Sequence, residues 1–333
     1  MNDAGTGNRV AGRVSGRVAN RIAHMAGIAI GLAGVGFVAL RITRDRDDIG
    51  DALAAADPIW MIAAAISGLA AMTLLGVNWL VIMRAGGAAA PLRRGLAWFF
   101  VGQLGKYVPG GIWPIVGQAE LAHRDRTPRP IAYWSTALSM VATLLGAGLV
   151  AAIAGLVAPA GSRFVPAVLA AGCIVMLGAL AAQPLRGRLH RAVDRLSPRE
   201  FRLPPAGWFT GIVARYLPVW VLFAGMTVGS VAALGADLHT ELVVTVVYAA
   251  CLSWIAGFVI IGLPGGLGVR EAVLISLLTA PLGSGVAVSA ALLSRVVSIG
   301  VDLLGAAVAA PVARFAPPLD HDDAETPARY AAP

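Results

Sequence analysis

The sequence predicts an all-α fold: a polytopic membrane helix bundle. Three observations carry that reading. The 333 residues are 58% hydrophobic and only 13% charged, with a mean hydropathy of +0.76. A soluble domain is about 25% charged, so this chain lacks the charge to coat a soluble surface of its size. The apolar residues fall in runs of about 20, the length a helix needs to cross a bilayer. Small residues, including 40 glycines, crowd every run. They let helices approach closely where water supplies no driving force between them.

Taken in order, residues 1–21 form a basic, flexible N-terminal arm with Arg9, Arg13, Arg17 and Arg21. An apolar run at 22–40 follows. No small-x-small cleavage pattern comes after it, so it reads as a retained signal-anchor. The run 59–83 starts after Asp57-Pro58. The stretch 95–120 is apolar but broken by Lys106-Tyr107-Val108-Pro109-Gly110-Gly111 and by Pro114. Runs at 131–157, 164–183 and 208–234 come next. The stretch 242–280 is broken in the same way, by Gly262-Leu263-Pro264-Gly265-Gly266-Leu267-Gly268. The last run is 284–312, and a polar tail, 313–333, with Pro317-Pro318 has the composition of a disordered segment.

A Pro-Gly-Gly inside an apolar stretch removes a helix donor and frees the backbone. At membrane depth such backbone is tolerated only where protein buries it or a watery cavity wets it. Both broken stretches therefore read as re-entrant hairpins, with tips at Pro109, Gly110, Gly111 and at Pro264, Gly265, Gly266; the alternative is a pair of kinked spanning helices. Six full crossings remain. With both termini cytoplasmic, the inside segments hold 18 arginines and the outside segments 4. That bias obeys the positive-inside rule of an inner, cytoplasmic membrane. The net charge of +8 then follows from topology and calls for no nucleic-acid partner. The membrane domain 22–312 repeats the order helix, helix, hairpin, helix, at 22–157 and at 164–312. Three crossings per copy turn the second copy upside down and bring the two tips together, as in transporters built from inverted repeats.

Ionisable groups inside a membrane are expensive and are functional candidates. Lys106, the only lysine, precedes the first tip, and Arg270 and Glu271 follow the second. Arg295, Ser298 and Asp302 share one stripe of the last run, being three and seven residues apart. Glu120 closes the first hairpin. Arg270 and Glu271, as helix neighbours, point about 100° apart and need separate partners. Glu271 could hold Arg295 or Lys106, leaving Arg270 for a ligand. Lys106 has no acid near it in sequence, which favours a ligand role. Helix N-termini after the tips would add N–H groups that attract anions. Lys106, Arg270 and Arg295 are thus candidates to hold a phosphate-sized anion. Glu271, Asp302 and Glu120 are candidates for coupling or ion pairing. The plainer alternative is a set of internal salt bridges clipping the halves together. Ser135, Ser139 and Thr143 form a polar stripe that suits interhelical packing, or lines a path. Cys173 and Cys251 read as buried small hydrophobes, and no metal-ligand spacing or cofactor motif is present.

The segments Gly105-Lys106-Tyr107-Val108-Pro109-Gly110-Gly111-Ile112-Trp113 and Leu263-Pro264-Gly265-Gly266-Leu267-Gly268-Val269-Arg270-Glu271 resemble the paired signatures of the lysylphosphatidylglycerol synthase transmembrane region, a family of flippase-like integral membrane proteins. The resemblance spans about 22–312. In the best-understood members it implies a membrane part that moves an aminoacylated phospholipid, while a separate cytosolic domain makes that lipid. Only a short polar segment follows residue 312, so the resemblance implies translocation and lends no support to aminoacyl transfer.

The leading expectation is a flippase, not an enzyme. Its substrate would be a lipid with an anionic headgroup, a phospholipid or a polyprenyl phosphate. One alternative is an integral-membrane lipid-linked transferase using Asp45, Asp47 and Asp48 around a divalent metal. Another is a non-catalytic partner of a cell-envelope biosynthetic enzyme.

Overall fold

The computed structural model of the chain describes residues 36–37, 39–40, 43–44, 46–108, 112–158, 163–182, 206–260 and 264–315. The N-terminal arm, most of the first apolar run, the tip residues Pro109, Gly110 and Gly111, and the tail beyond 315 lie outside them. The described residues are helical, without strands. After α1 (Arg46–Ala54) come α2 (Pro58–Ala85), α3 (Leu92–Gln103), α4 (Trp113–Arg124) and α5 (Arg129–Val157). Then follow α6 (Phe164–Ala181), α7 (Ala206–Ala233), α8 (Thr240–Val259), α9 (Val269–Leu282) and α10 (Ser284–Phe315). Short 3-10 turns, Leu104–Tyr107 and Pro264–Gly266, lead into the first tip and form the second.

Local chemistry sets the ends. Asp57 caps α2 by accepting the Ile59 N–H at 2.8 Å, and Pro58 occupies the first helical position, where no N–H is missed. Gly283, at φ 77°, ends α9 in a backbone conformation that a side chain would strain.

Among the described residues, five helices, α2, α5, α7, α8 and α10, are long and apolar enough to cross a membrane. The chain is a multi-pass membrane protein. The broken stretches do form helical hairpins, α3 packed on α4 and α8 on α9, but they are not alike. Each limb of the first has 12 residues, about 18 Å, short of a crossing. In the second, α8 has 20 residues, about 30 Å, which is a crossing length. The expected re-entrant limb there is instead a helix of spanning length, because nothing between Glu241 and Val259 interrupts it. By contrast α6, expected as a crossing, is an apolar helix of 18 residues, about 27 Å.

Corresponding helices of the two halves make corresponding contacts. The second helices, α2 and α7, lie along each other. The first limb of each hairpin packs on the last helix of the other half: α3 on α10, and α8 on α5. The two 3-10 turns touch. The counterparts α2 and α7 run antiparallel, as three contacts along their length record. The Asp57 N–H donates to the Ala233 carbonyl at 2.8 Å. The Ser67 hydroxyl donates to the Leu222 carbonyl at 2.8 Å, and the Asn78 amide to the Arg215 carbonyl at 2.8 Å. Counterpart helices in opposite directions mean that the second half is inverted relative to the first. The close approach needs small residues. A Cβ on Gly229 would stand 3.1 Å from the Ala64 Cα.

Both hairpins are also pinched by glycine against glycine. A Cβ on Gly117 would lie 3.2 Å from the Gly102 Cα, and one on Gly266 would lie 2.9 Å from the Gly257 Cα. Trp79, Trp98, Phe99, Tyr216 and Trp220 fill the space between helices and are almost fully buried.

Candidate functional site: a charge cluster between the two hairpins

Helix α10 carries the cluster. Its stripe of Arg295, Ser298 and Asp302 faces the tips, and Ser298 and Asp302 are buried. Asp302, 2% exposed, receives the Lys106 ammonium at 2.6 Å and the Tyr107 hydroxyl at 2.5 Å, both on Oδ2. The acid that Lys106 lacks locally therefore comes from the other half of the chain. Of the two partners expected for Glu271, Arg295 and Lys106, Lys106 is taken instead by Asp302. Arg295 donates to the Gly265 carbonyl at 3.0 Å and lies 3.5 Å from Glu271 Oε1. Residues seven apart on one helix thus fasten both hairpins: Asp302 holds the first and Arg295 the second.

Glu271 has a second task. Its Oε2 accepts the Gly268 N–H at 2.8 Å, closing the first turn of α9. The helix N-terminus after the second tip is capped by the chain's own carboxylate, so the expected attraction of an anion to N–H groups does not extend to the Gly268 N–H. After the first tip, α4 starts without a side-chain cap.

The second tip requires glycine at Gly265. Its φ is 59°, and a Cβ there would lie 3.0 Å from Arg295 Nη2 and 3.8 Å from the Lys106 carbonyl oxygen. The tip is thus wedged between the Arg295 guanidinium and the Lys106 backbone. For Pro264 only the backbone is described, and Gly266 is buried against Gly257.

Arg270 makes no hydrogen bond and no ion pair among the described residues, although Arg295, Glu271 and Asp302 lie near enough for their charges to act on it. Two further atoms of the cluster, Glu271 Oε1 and Arg295 Nε, are buried without a hydrogen-bond partner. A buried polar atom in that state costs roughly 1–3 kcal/mol. Lys106 keeps 29% of its side-chain exposure and Arg295 keeps 13%. The cluster is therefore largely enclosed by protein, with donors of Arg270 and Arg295 unused among the described residues.

Glu120 lies apart from the cluster. Its carboxylate is held by Arg129 Nε at 3.2 Å and Nη2 at 3.1 Å and accepts the Tyr133 hydroxyl at 3.1 Å. It bounds an open groove of about 490 Å³ along the first hairpin, lined by Val101, Gly105, Val108, Trp113 and Arg124 among others. The stripe on α5 is interhelical: Ser139 bonds Tyr216 on α7 at 2.7 Å, and Thr143 bonds back to its own helix. Cys173 and Cys251 are buried and free. Of the acidic run near the start, Asp47 is exposed on α1 and Asp45 lies outside the described residues.

Two helical units whose 3-10 turns touch, with charges buried between them, make an integral membrane protein that carries ionisable groups in its interior. Comparison with family models makes this specific. The model for the lysylphosphatidylglycerol synthase TM region matches residues 25–305, and the chain belongs to that family. A comparison with curated proteins finds no match.

Proposed function

We propose that the protein is a flippase that carries a lipid with an anionic, phosphate-bearing headgroup across the cytoplasmic membrane, with both termini on the cytoplasmic side. The observation that supports this most is the Arg270 guanidinium, without a hydrogen-bond or ion-pair partner among the described residues and set beside Lys106 and Arg295. The headgroup would sit on these three cations. The tail would stay in the bilayer, along the open groove of the first hairpin. Rocking of residues 22–157 against 164–312 about the tips would expose the site to either face in turn. Asp302 and Glu271 orient the cations while the site is empty, and Asp302 must release Lys106 when a phosphate takes its place.

The test is headgroup translocation in proteoliposomes, comparing the wild type with Lys106→Ala and Arg270→Ala. Translocation by the wild type and a loss of at least about tenfold in each variant is expected, since charge-assisted hydrogen bonds are worth about 1.5–3 kcal/mol each. Equal activity in all three proteins would remove the cations from the mechanism.

A further inference from the structure

The pairing of Asp302 points to a proton that moves with the anion, and this inference rests on the flippase reading above. Asp302 is 2% exposed, and its one ion-pair partner among the described residues is the Lys106 ammonium at 2.6 Å. The Tyr107 hydroxyl donates to the same oxygen at 2.5 Å. In the flippase reading a bound anion draws Lys106 off Asp302. We propose that Asp302 takes up a proton in its place, so that anion binding and protonation of Asp302 are one coupled event and the headgroup crosses together with a proton.

The other charges around Asp302 do not replace Lys106. Arg270 on α9 and Arg295 on α10 act on the cluster through their charge. They are the other two cations of the proposed anion site, so a bound anion offsets them at the moment it takes Lys106. Glu271, also on α9, adds a like charge. The remaining helices packed on α10 are α1, α2, α3 and α7. On α2 and α3 the ionisable groups are Arg84, Arg93 and Arg94, which flank the loop joining those helices. On α7 they are Arg215, bonded to Asn78, and Tyr216, bonded to Ser139. Helix α1, with Arg46, Asp47, Asp48 and Asp51, meets the first two turns of α10, where Ile49 packs with Ala287 and Val288.

A carboxylate left buried without a cation is costly, and it becomes neutral by taking a proton. Lys106 is the more exposed member of the pair, at 29%, so water can follow it and deliver that proton. Glu271 has no such need, because its Oε2 keeps the Gly268 N–H at 2.8 Å whatever Arg295 does. The exchange balances: the ammonium leaves and a proton arrives at Asp302, and the proton returns to water when the anion departs and Lys106 comes back. Anion and proton share one state of the protein. A pH difference across the membrane would therefore drive the headgroup from the more acidic side.

The experiment titrates dioctanoyl phosphatidylglycerol, as an anion probe, into the full chain in phosphatidylcholine nanodiscs held in weak buffer near neutral pH. A pH-indicator dye reads the protons taken up, against protein-free nanodiscs. The phosphodiester stays ionised under these conditions, so the protons belong to the protein. The wild type is expected to take up about one proton per lipid bound, and its affinity to fall about tenfold for each unit rise in pH, the linkage value for one proton. Asp302→Asn, verified as folded by its thermal midpoint, is expected to bind without uptake and to lose that pH dependence. Glu271→Gln is expected to keep the uptake per lipid bound, whatever its affinity. Binding by the wild type without uptake would overturn the proton exchange and leave the anion site standing. No binding by the wild type would remove the flippase reading and this inference with it. Uptake that survives in Asp302→Asn, or that disappears in Glu271→Gln, would place the proton elsewhere and overturn the proposal. Should Asp302→Asn not fold, the Glu271→Gln result decides.

Discussion

Removing the Asp302 carboxylate tests the contact that joins the two halves. Asp302 accepts both Lys106, at 2.6 Å, and Tyr107, at 2.5 Å, from the opposite half. Breaking a buried ion pair by deleting one member costs about 3–5 kcal/mol, whereas replacing both members by apolar groups is often close to neutral. The two single variants should differ. In Asp302→Leu the stranded ammonium has 29% of its side chain exposed and can draw on water, so the lower end applies, about 3 kcal/mol. In Lys106→Met the stranded carboxylate is 2% exposed and keeps only the Tyr107 hydroxyl, so the cost is larger, about 4 kcal/mol. The double variant should cost less than either single one, giving a coupling energy of at least about 2 kcal/mol. Unfolding followed by tryptophan fluorescence in mixed micelles supplies all four stabilities. Additive single effects, or single effects below about 0.5 kcal/mol, would refute the reasoning.

Three further outcomes follow from particular contacts. Gly265→Ala places a side chain at φ 59°, a cost of about 1–2 kcal/mol, and pushes its Cβ to 3.0 Å from Arg295 Nη2. Translocation should therefore fall well below what the loss of thermal stability alone explains, and full activity would argue against the wedge. Glu120→Gln should leave thermal stability nearly unchanged, because the Arg129 pair is exposed and screened by solvent; a large fall in melting temperature would contradict that. Arg93→Cys and His239→Cys, both at exposed positions, should be labelled from opposite sides by a membrane-impermeant maleimide, with little background from the buried Cys173 and Cys251. Labelling of both from the same side would overturn the topology.

Much of this architecture is written in local sequence. Hydropathy marks the helices, Asp57-Pro58 marks the start of α2, and glycine with proline marks the tips. These are short-range signals, and the backbone answers to them directly. The twin order of helices and hairpins, with an odd number of crossings, is enough to imply inversion, and the antiparallel α2 and α7 carry it out. The pairing of charges is another matter. Lys106 and Asp302 are far apart in sequence, and no spacing rule connects them, so Lys106 reads as unpaired until the halves are packed. Arg295 with Glu271 was one of several combinations the sequence allowed. The spacing of Gly268 and Glu271 carries a signal that could have been read, since an acidic residue three positions after a helix start is the reach-back half of a capping box. The spanning length of α8 was masked by an assumption of likeness between the hairpins. A matching Pro-Gly-Gly fixes where each breaks and says nothing of how long the limbs are.

The two halves share a packing frame and not a chemistry. In each half, the last helix packs on the first hairpin limb of the other: α5 on α8, and α10 on α3. Each also carries a polar stripe. On α5 it consists of hydroxyls, Ser135, Ser139 and Thr143, of which Ser139 bonds Tyr216 on α7 and Thr143 bonds its own helix. On α10 it consists of Arg295, Ser298 and Asp302, of which Arg295 holds the second hairpin and Asp302 the first. A symmetric protein would place equal charge on both helices and double the site. Here the second half supplies four of the five charges and the first supplies Lys106 alone. Lys106 and Tyr107 tie the turn Leu104–Tyr107 to Asp302 on α10, while Arg295 holds the second tip through the Gly265 carbonyl. Under the proposed flippase reading, a phosphate that drew Lys106 off Asp302 would loosen the first of these contacts and leave the second in place.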